Sequence, residues 1–332
     1  MLKYHQAEKL LLEKISKLPP GEPLPPIRQL IEESSFSQAT IMKAISLLEQ
    51  KNVIERRPGA GIFAACSAAG TIGSVAVLIS IIDNSASSQI LLGIQQALSG
   101  SGDQILLLPG GREVDKILPA LKRNGIRKLI LYPISSDLKN PEFLNFVEQL
   151  AEQDISVATI EIPIPGLKCV FAGQENTHAF EEVTKHLIQN GVRSIAVTGM
   201  FNSVIYASRL AGIRNAINAS KHPILLKQID EGDGGFAIDI AKKLLACKCD
   251  AILLCNADNS REIAYGLQAL NDSLSEKITV AGVVEQNWRI PLPRAITLEK
   301  QSIELGRSAV QALAAHRVSA RYIPMKIHYH ND

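Results

Sequence analysis

The chain has 332 residues, with 35 Lys or Arg against 33 Asp or Glu and apolar residues at 46%. That balance excludes wholesale disorder and collagen-like repeats, and the length suits two or three domains. No apolar run approaches the ~18 residues of a bilayer span, so no membrane partner is expected; the longest, residues 75–82, has the length of a buried strand.

Five cysteines, an odd number scattered along the chain, suit a reducing compartment better than a disulfide framework. The first 16 residues alternate charge with Leu and Ile and lack the apolar core and small-residue cleavage site of a secretory leader. A cytoplasmic protein is expected.

Residues 1–65 carry nine basic against seven acidic side chains, so the whole positive excess sits there. They read as three amphipathic helices followed by a glycine-punctuated hairpin. Residues 26–33 form a short helix. After a Ser-rich turn comes a second, with Ile41, Ala44, Ile45 and Leu48 on one face, Ser37 as N-cap, and Gln38, Lys43 and Ser46 outward. Val53 to Arg57 and Gly61-Ile62-Phe63 flank Pro58-Gly59-Ala60 as a two-stranded wing. Such a helix fits the DNA major groove, and a glycine-bearing wing can approach phosphates closely. A small-residue, charge-free stretch at 66–73 reads as a linker.

From residue 74 onward, strand-length apolar runs at 75–81, 104–108, 128–132, 156–160, 194–198, 224–228, 251–254 and 278–283 alternate with helical patterns at 90–98, 114–122, 141–152, 180–190 and 237–245. Near-continuous apolar strands separated by helices imply parallel sheets covered on both faces. The length exceeds one comfortable core, so two lobes are expected, one of about 74–172 with 296–320 and the other of about 173–295 with 321–332. Ligands of such sheets sit beyond the carboxyl ends of the strands. The turns there carry Asp83-Asn84-Ser85, Pro109-Gly110-Gly111-Arg112, Glu161, Asn256-Ala257-Asp258-Asn259 and Glu285-Gln286-Asn287, side chains suited to a polar solute.

Tyr4, Pro20-Gly21, Leu24-Pro25, Arg28, Ser37, Thr40, Ala44, Leu48-Glu49, Ile54 and the run Arg57 to Phe63 together resemble the GntR-family winged helix. That resemblance implies DNA contacts from Arg28, Ser37, Thr40, Gly59 and Gly61, with Arg57 beside the wing. Two positions depart from the family pattern: Gln38 and Lys43 stand where it usually has Arg. Gln pairs bidentately with adenine and Lys binds phosphate as a point charge, so an altered operator preference is expected. Arg56 is either a further contact or surface decoration.

Downstream, His186-Leu187-Ile188, Gly191-Val192-Arg193, Arg209-Leu210-Ala211-Gly212, the run Asp250 to Asp258, and Ile296-Thr297-Leu298 with Leu305-Gly306 resemble the LacI/GalR effector domain. The resemblance implies a type I periplasmic-binding-protein-like fold. The whole is then an α/β chain: an N-terminal winged helix-turn-helix plus a two-lobed domain with two parallel sheets, similar to arabinose-repressor-type hybrids. It nominates Arg209 for the cleft, the alternative being a pairing with Glu175. Glu161 falls where the family often has Asp, and which of Asn256, Asp258 and Asn259 faces inward stays open. Val284 replaces the usual ligand carboxylate, so Glu285 serves only if the backbone shifts. Asn84 and Ser85 replace the usual aromatic pair, and Trp288 either stacks on the ligand or packs at a surface.

Cys247-Lys248-Cys249 has no second pair at zinc spacing, and His328-Tyr329-His330 reads as a solvated tail. Neither glycine-rich turn carries the Lys-Ser/Thr of a phosphate loop, and no catalytic triad assembles. No cofactor, metal or enzymatic activity is expected. The expectation is a regulator, most simply a repressor, that binds a palindromic operator in double-stranded DNA as a homodimer and responds to a sugar or similar small polar effector. Its alternative is a regulator whose effector domain only dimerises.

Overall fold

The computed structural model describes residues 3–15, 18, 22–50, 53–57, 61–64, 74–82, 84–110, 114–232, 236–270, 278–314 and 319–330. The expected linker at 66–73, the DNA-contact candidate Gly59, and Asp83 and Arg112 of the strand-end turns lie outside the described residues.

Helix α1 (Lys3–Ile15) places Ala7, Leu11 and Ile15 on one face at a spacing of four, and all three are buried. Helix α2 (Ile27–Ser34) starts behind Pro26 and ends at Ser35, whose φ of 58° breaks the helical run. Helix α3 (Gln38–Gln50) buries Ile41, Ala44, Ile45 and Leu48 completely and packs on α1 and α2. Each buried Leu or Ile contributes about 1.5–3 kcal/mol, so this small core rather than helix propensity holds the three helices together. Strands β1 (Ile54–Arg57) and β2 (Gly61–Ala64) pair antiparallel with Arg57 opposite Gly61. Gly61 has φ +117°, a conformation open to glycine and strained for a side-chain-bearing residue.

The first lobe is an all-parallel sheet of β3 (Ser74–Ile79), β4 (Gln104–Pro109), β5 (Lys128–Tyr132), β6 (Ser156–Ile160), β7 (Val170–Gln174) and β13 (Ala320–Ile323), in the order β13-β7-β6-β5-β3-β4. Helices α4 (Ser85–Leu98) and α11 (Ser302–Ala314) cover one face, and α5 (Ile117–Arg123) and α6 (Pro141–Ala151) the other. The α4–α11 contact is backbone against backbone: a Cβ on Gly93 would lie 1.9 Å from the Ile303 carbonyl oxygen, and one on Gly306 2.1 Å from that of Ile90.

The second lobe contains β8 (Ser194–Gly199), β9 (Leu225–Asp230), β10 (Ala251–Leu254), β11 (Thr279–Val284), β12 (Ala295–Glu299) and β14 (Lys326–Tyr329), in the order β14-β12-β11-β10-β8-β9. Helices α7 (Asn176–Gln189) and α8 (Val204–Asn218) pack on one face, α9 (Ala237–Ala246) and α10 (Ser260–Leu270) on the other. The chain passes between lobes three times, after β7, after β12 and after β13.

Three expectations change. Residues 296–299, expected in the first lobe, lie in the second sheet, because Ala295–Glu299 pairs parallel with the exposed edge of β11. Residues 321–323, expected in the second lobe, lie in the first, because α11 packs on α4 and delivers the strand after it to β7. The second sheet is not wholly parallel, since β14 runs antiparallel to β12 and places His328-Tyr329 in an edge strand rather than a solvated tail. There the Tyr329 ring lies 4.4 Å from that of His186, and the His330 ring nitrogen Nε2 lies 3.1 Å from Thr297 Oγ1.

Candidate functional site

Two surfaces gather the residues singled out by sequence. The first is the exposed side of the helical head. Ser37 Oγ accepts a hydrogen bond from Thr40 N at 3.3 Å and lies 2.8 Å from Thr40 Oγ1, so Ser37 caps α3. Gln38 follows the cap and is exposed. Lys43, one turn on, is also exposed, and its ammonium lies 4.5 Å from the centroid of the Tyr4 ring, so α1 orients the cation through its aromatic face. Arg28, with a 92% exposed side chain, stands 3.3 Å from Glu32.

At the wing, Arg57 lies over the Phe63 ring at 4.4 Å. Arg56 bonds inward, its Nε 3.0 Å from Glu49 Oε2 and its Nη2 donating to Ser46 Oγ at 3.2 Å. Arg56 is therefore a brace between the hairpin and the last turns of α3.

The second surface lies where the carboxyl ends of both sheets face each other. Its centre is Lys300, in the crossover after β12 and 5% exposed, with Nζ 3.2 Å from Glu161 Oε1 and 3.1 Å from Glu285 Oε1. Glu161 closes the end of β6 with φ +64°, and Glu285 follows β11, so one ammonium links a carboxylate from each lobe. Burial alone would lower the Lys300 pKa, but Glu285 and then Glu161 outweigh it and hold the ammonium above its ordinary range. Neither Oε1 atom, though at ion-pair distance, accepts an aligned hydrogen bond. Ser302 Oγ donates to Glu285 Oε2 at 2.7 Å, and Gln174 N to Glu161 Oε2 at 3.4 Å. Glu285 thus reaches the cleft, which sequence had made conditional on a backbone shift.

Arg209, on α8 and 3% exposed, donates from Nε to Asn176 Oδ1 at 2.7 Å and from Nη1 to the Cys255 carbonyl oxygen at 2.6 Å. Its partner is Asn176, not Glu175. Burial pulls its pKa down, and Glu161, Cys255, Glu285 and Asp258 oppose that. Glu231, 4% exposed, accepts from Thr198 Oγ1 at 2.8 Å and from the side-chain amides of both Asn256 and Asn259 at 2.9 Å. Those amides are thereby committed. Burial raises the Asp258 pKa, while Lys300 opposes and Glu285 reinforces the rise. Tyr132, at the end of β5, belongs to the same group, its pKa raised by burial with Lys300 opposing and both glutamates reinforcing.

Asn84 and Ser85 serve α4: Asn84 Oδ1 accepts from Ser87 N at 2.9 Å, and Ser85 opens the helix. Trp288, expected as a stacking face, packs half-buried against the core under α9 and α10, with the Arg261 guanidinium 5.4 Å from its ring. A loop residue next to an apolar helix face buries more of its ring there than it would over a polar cleft.

Sequence reading missed Lys300, Glu231, Gln174 and Tyr132. Lys300 had a signal, since the run 295–298 is strand-like and Lys300 stands at its carboxyl end. Beside Glu161 a cavity of about 380 Å³ opens between Phe171 and Tyr322 of one lobe and Val204 and Ser208 of the other. A cavity of about 240 Å³ between α5 and α6 is remote from all of this.

Residues 73–271 match the family described as periplasmic binding proteins and sugar binding domain of LacI family, and residues 3–64 match the bacterial regulatory proteins of the gntR family. The chain belongs to the LacI-type periplasmic-binding family and carries a GntR domain at its amino end. It is 26% identical over 198 residues to an arabinose metabolism transcriptional repressor of Halalkalibacterium halodurans, across 57% of this chain and 52% of that one. It therefore spans about half the length of the curated relative it matches.

Among solved structures, a LacI family transcriptional regulator from Enterococcus faecium with bound ribose superposes with a TM-score of 0.63 at 18% identity, covering 78% of this chain and 98% of that one. A complex of the transcriptional regulator CelR with cellobiose gives 0.63 at 17% identity, covering 90% and 92%. At such identities the likeness concerns the fold.

Proposed function

We propose that this chain is a ligand-responsive transcriptional repressor rather than an enzyme. In a cytoplasmic homodimer, two α3 helices and wings enter a roughly palindromic operator, and a sugar-class solute between the lobes changes the spacing of the two heads. The observation that carries the reading is one chain holding both an exposed GntR helix and wing and a two-lobed cleft in which Glu161 and Glu285 face each other across Lys300. The similarity to an arabinose metabolism repressor, and to regulators crystallised with ribose and cellobiose, supports a sugar as the solute class. Coupling requires that the solute bind the two lobe arrangements with different affinity, which a group spanning both lobes supplies.

Base contacts are assigned to Gln38, with Ser37, Thr40 and the wing residues Arg57, Gly59 and Gly61 toward the backbone and Arg28 and Lys43 toward phosphates. The test is selection of bound sequences from random duplex DNA with the full chain. A fluorescence titration of the selected site follows, with and without L-arabinose, D-ribose and cellobiose. A palindromic site whose affinity shifts on adding one sugar supports the reading, and failure to enrich any sequence overturns it.

One observation favours a second reading, in which the cleft binds nothing and the domain serves for dimerisation: Lys300 already fills the space between the two glutamates. In that case the operator is bound equally with every solute.

A further inference from the structure

We propose that the cavity at the start of α7 is a second ligand site, built for an α-amino acid with an aromatic or branched apolar side chain. Of Glu161, Arg209, Asp258, Glu285 and Lys300, only Glu161 lines this cavity, and its carboxylate is already paired with Lys300 at 3.2 Å. The site therefore does not depend on what the charged cleft takes.

One end of the cavity offers hydrogen-bond donors. Glu175 stands at the N-cap position of α7 without a side-chain bond, and the first helical bond runs from Ala179 N to the Glu175 carbonyl oxygen. The backbone N–H groups of Asn176, Thr177 and His178 thus have no partner among the described residues. Across the cavity the start of α8 is taken: Ser203 caps it, and Val204 N donates to Ser135 Oγ at 3.0 Å.

Gln174 points independently to a ligand. Its side chain is 3% exposed and lines the cavity, and its Oε1 accepts from Gln301 N at 3.4 Å. Its Nε2 is buried with no hydrogen-bond partner. A buried amide donor left unsatisfied is costly, and a ligand carboxylate removes that cost while accepting from the α7 N–H groups with its other oxygen.

The rest of the wall decides what the carboxylate is attached to. Glu175 is half-buried beside the same N–H groups, and its carboxylate makes no hydrogen bond or ion pair among the described residues. A phosphate or a simple organic acid meets that charge uncompensated, whereas an ammonium next to the ligand carboxylate pairs with it. Pro163, Phe171 and Tyr322 of the first lobe and Val204 and Ile205 of the second make the remaining surface apolar. The Phe171 and Tyr322 rings stand 5.5 Å apart, edge to face, and Tyr322 is 57% exposed. A third ring or a branched aliphatic group buries itself there, while the hydroxyls of a polyol lose water without gaining partners. The volume of about 380 Å³ lies in the range of small-molecule sites.

The test is isothermal titration of the full chain with L-phenylalanine and L-leucine. Each is measured beside its amide, which lacks the carboxylate, and its 2-oxo acid, which lacks the ammonium. At least one amino acid should bind, with its amide and its oxo acid at least tenfold weaker. Gln174→Met and Tyr322→Ala should each weaken the amino acid at least fivefold. Glu175→Gln should weaken the amino acid by as much and leave the oxo acid unchanged. Thermal midpoints check folding, and the partly exposed positions 175 and 322 keep the test open if Gln174→Met does not fold. An amide or oxo acid that binds as tightly as its parent overturns the proposal. So does amino-acid binding untouched by Glu175→Gln and Tyr322→Ala, which places the ligand elsewhere. Binding of neither amino acid overturns it as well and leaves the sugar reading standing, since that is judged by operator affinity.

Discussion

Arg209 and Asn176 are joined by a 2.7 Å bond from Nε to Oδ1, which ties α8 to the first residue of α7 at the cleft end of the second lobe. The same guanidinium fixes the carbonyl of Cys255 and so the end of β10. Arg209→Ala leaves Asn176 Oδ1 and that carbonyl buried without a donor, a cost of about 1–3 kcal/mol. Because the head has its own core, operator binding should persist while the response to sugar disappears. Arg209→Lys keeps the charge without the planar fork and should lose most of the response as well. Operator titration with and without the sugar reads both, and a normal response in either variant sinks this role for Arg209.

Lys300→Met removes the one cation between two buried carboxylates. Breaking a buried ion pair from one side costs about 3–5 kcal/mol, and urea denaturation should show a loss of that order. Lys300 is held above its ordinary pKa in the folded chain, so its contribution is complete below about pH 10.4, the unfolded value, and fades only as pH rises through the higher folded value. The difference between wild type and variant should therefore stay flat from pH 7 to pH 9. A difference that halves over that interval contradicts the assignment.

Asp250 gives the opposite dependence. Its Oδ2 accepts from Arg193 N at 2.9 Å, Ser194 N at 2.8 Å and Ser194 Oγ at 2.9 Å, and the backbone bond from Arg193 leads in lowering its pKa. A carboxylate held low contributes stability above its unfolded value of about 3.9 and loses it as pH falls through the folded one. Asp250→Asn should cost about 1 kcal/mol at pH 7, and the two melting curves should converge as pH falls from 5 toward 3. Parallel curves down to pH 3 would remove the ionised carboxylate from the account.

On the head, Lys43→Ala should weaken binding to all duplex sequences and reduce the salt slope by about one, whereas Gln38→Ala should relax preference at one base pair per half-site. Arg56→Ala unties the wing from Glu49 and Ser46 and should lower operator affinity without changing which bases are preferred. Fluorescence titrations at two salt concentrations against the selected site and a one-base variant separate the three, and identical affinities for all would remove α3 from the interface.

Much of the fold was legible because its signals are local. The strands 128–132, 156–160 and 251–254 stand where their apolar runs lie, and Ser37 caps α3 as its hydroxyl and position suggested. Long-range pairing was less legible. Nothing within 296–299 or 321–323 says which sheet edge will accept it, and the answer comes from where α11 docks. Glu161, Arg209 and Glu285 were nominated from strand ends and motif spacing, and the structure buries all three where the two sheets meet. Asn84 and Trp288 were drawn to other tasks because a helix end and an apolar face stood nearer. Lys300 and Glu231 were missed because their roles exist only through partners 15 to 139 residues away in the chain.

The glycine contacts between α4 and α11 carry a consequence for synthesis. The seat at Gly93 is finished before residue 100, yet the Ile303 backbone that fills it is made some two hundred residues later, after the whole second sheet except its edge strand β14. At about 5–20 residues per second the α4 face waits about ten seconds or more for α11, and the β7 edge about seven seconds or more for β13. The second lobe has most of its strands before the first can close. Both lobes are completed only by the residues from 302 onward, the first by α11 and β13 and the second by β14, so neither closes before the chain is almost finished.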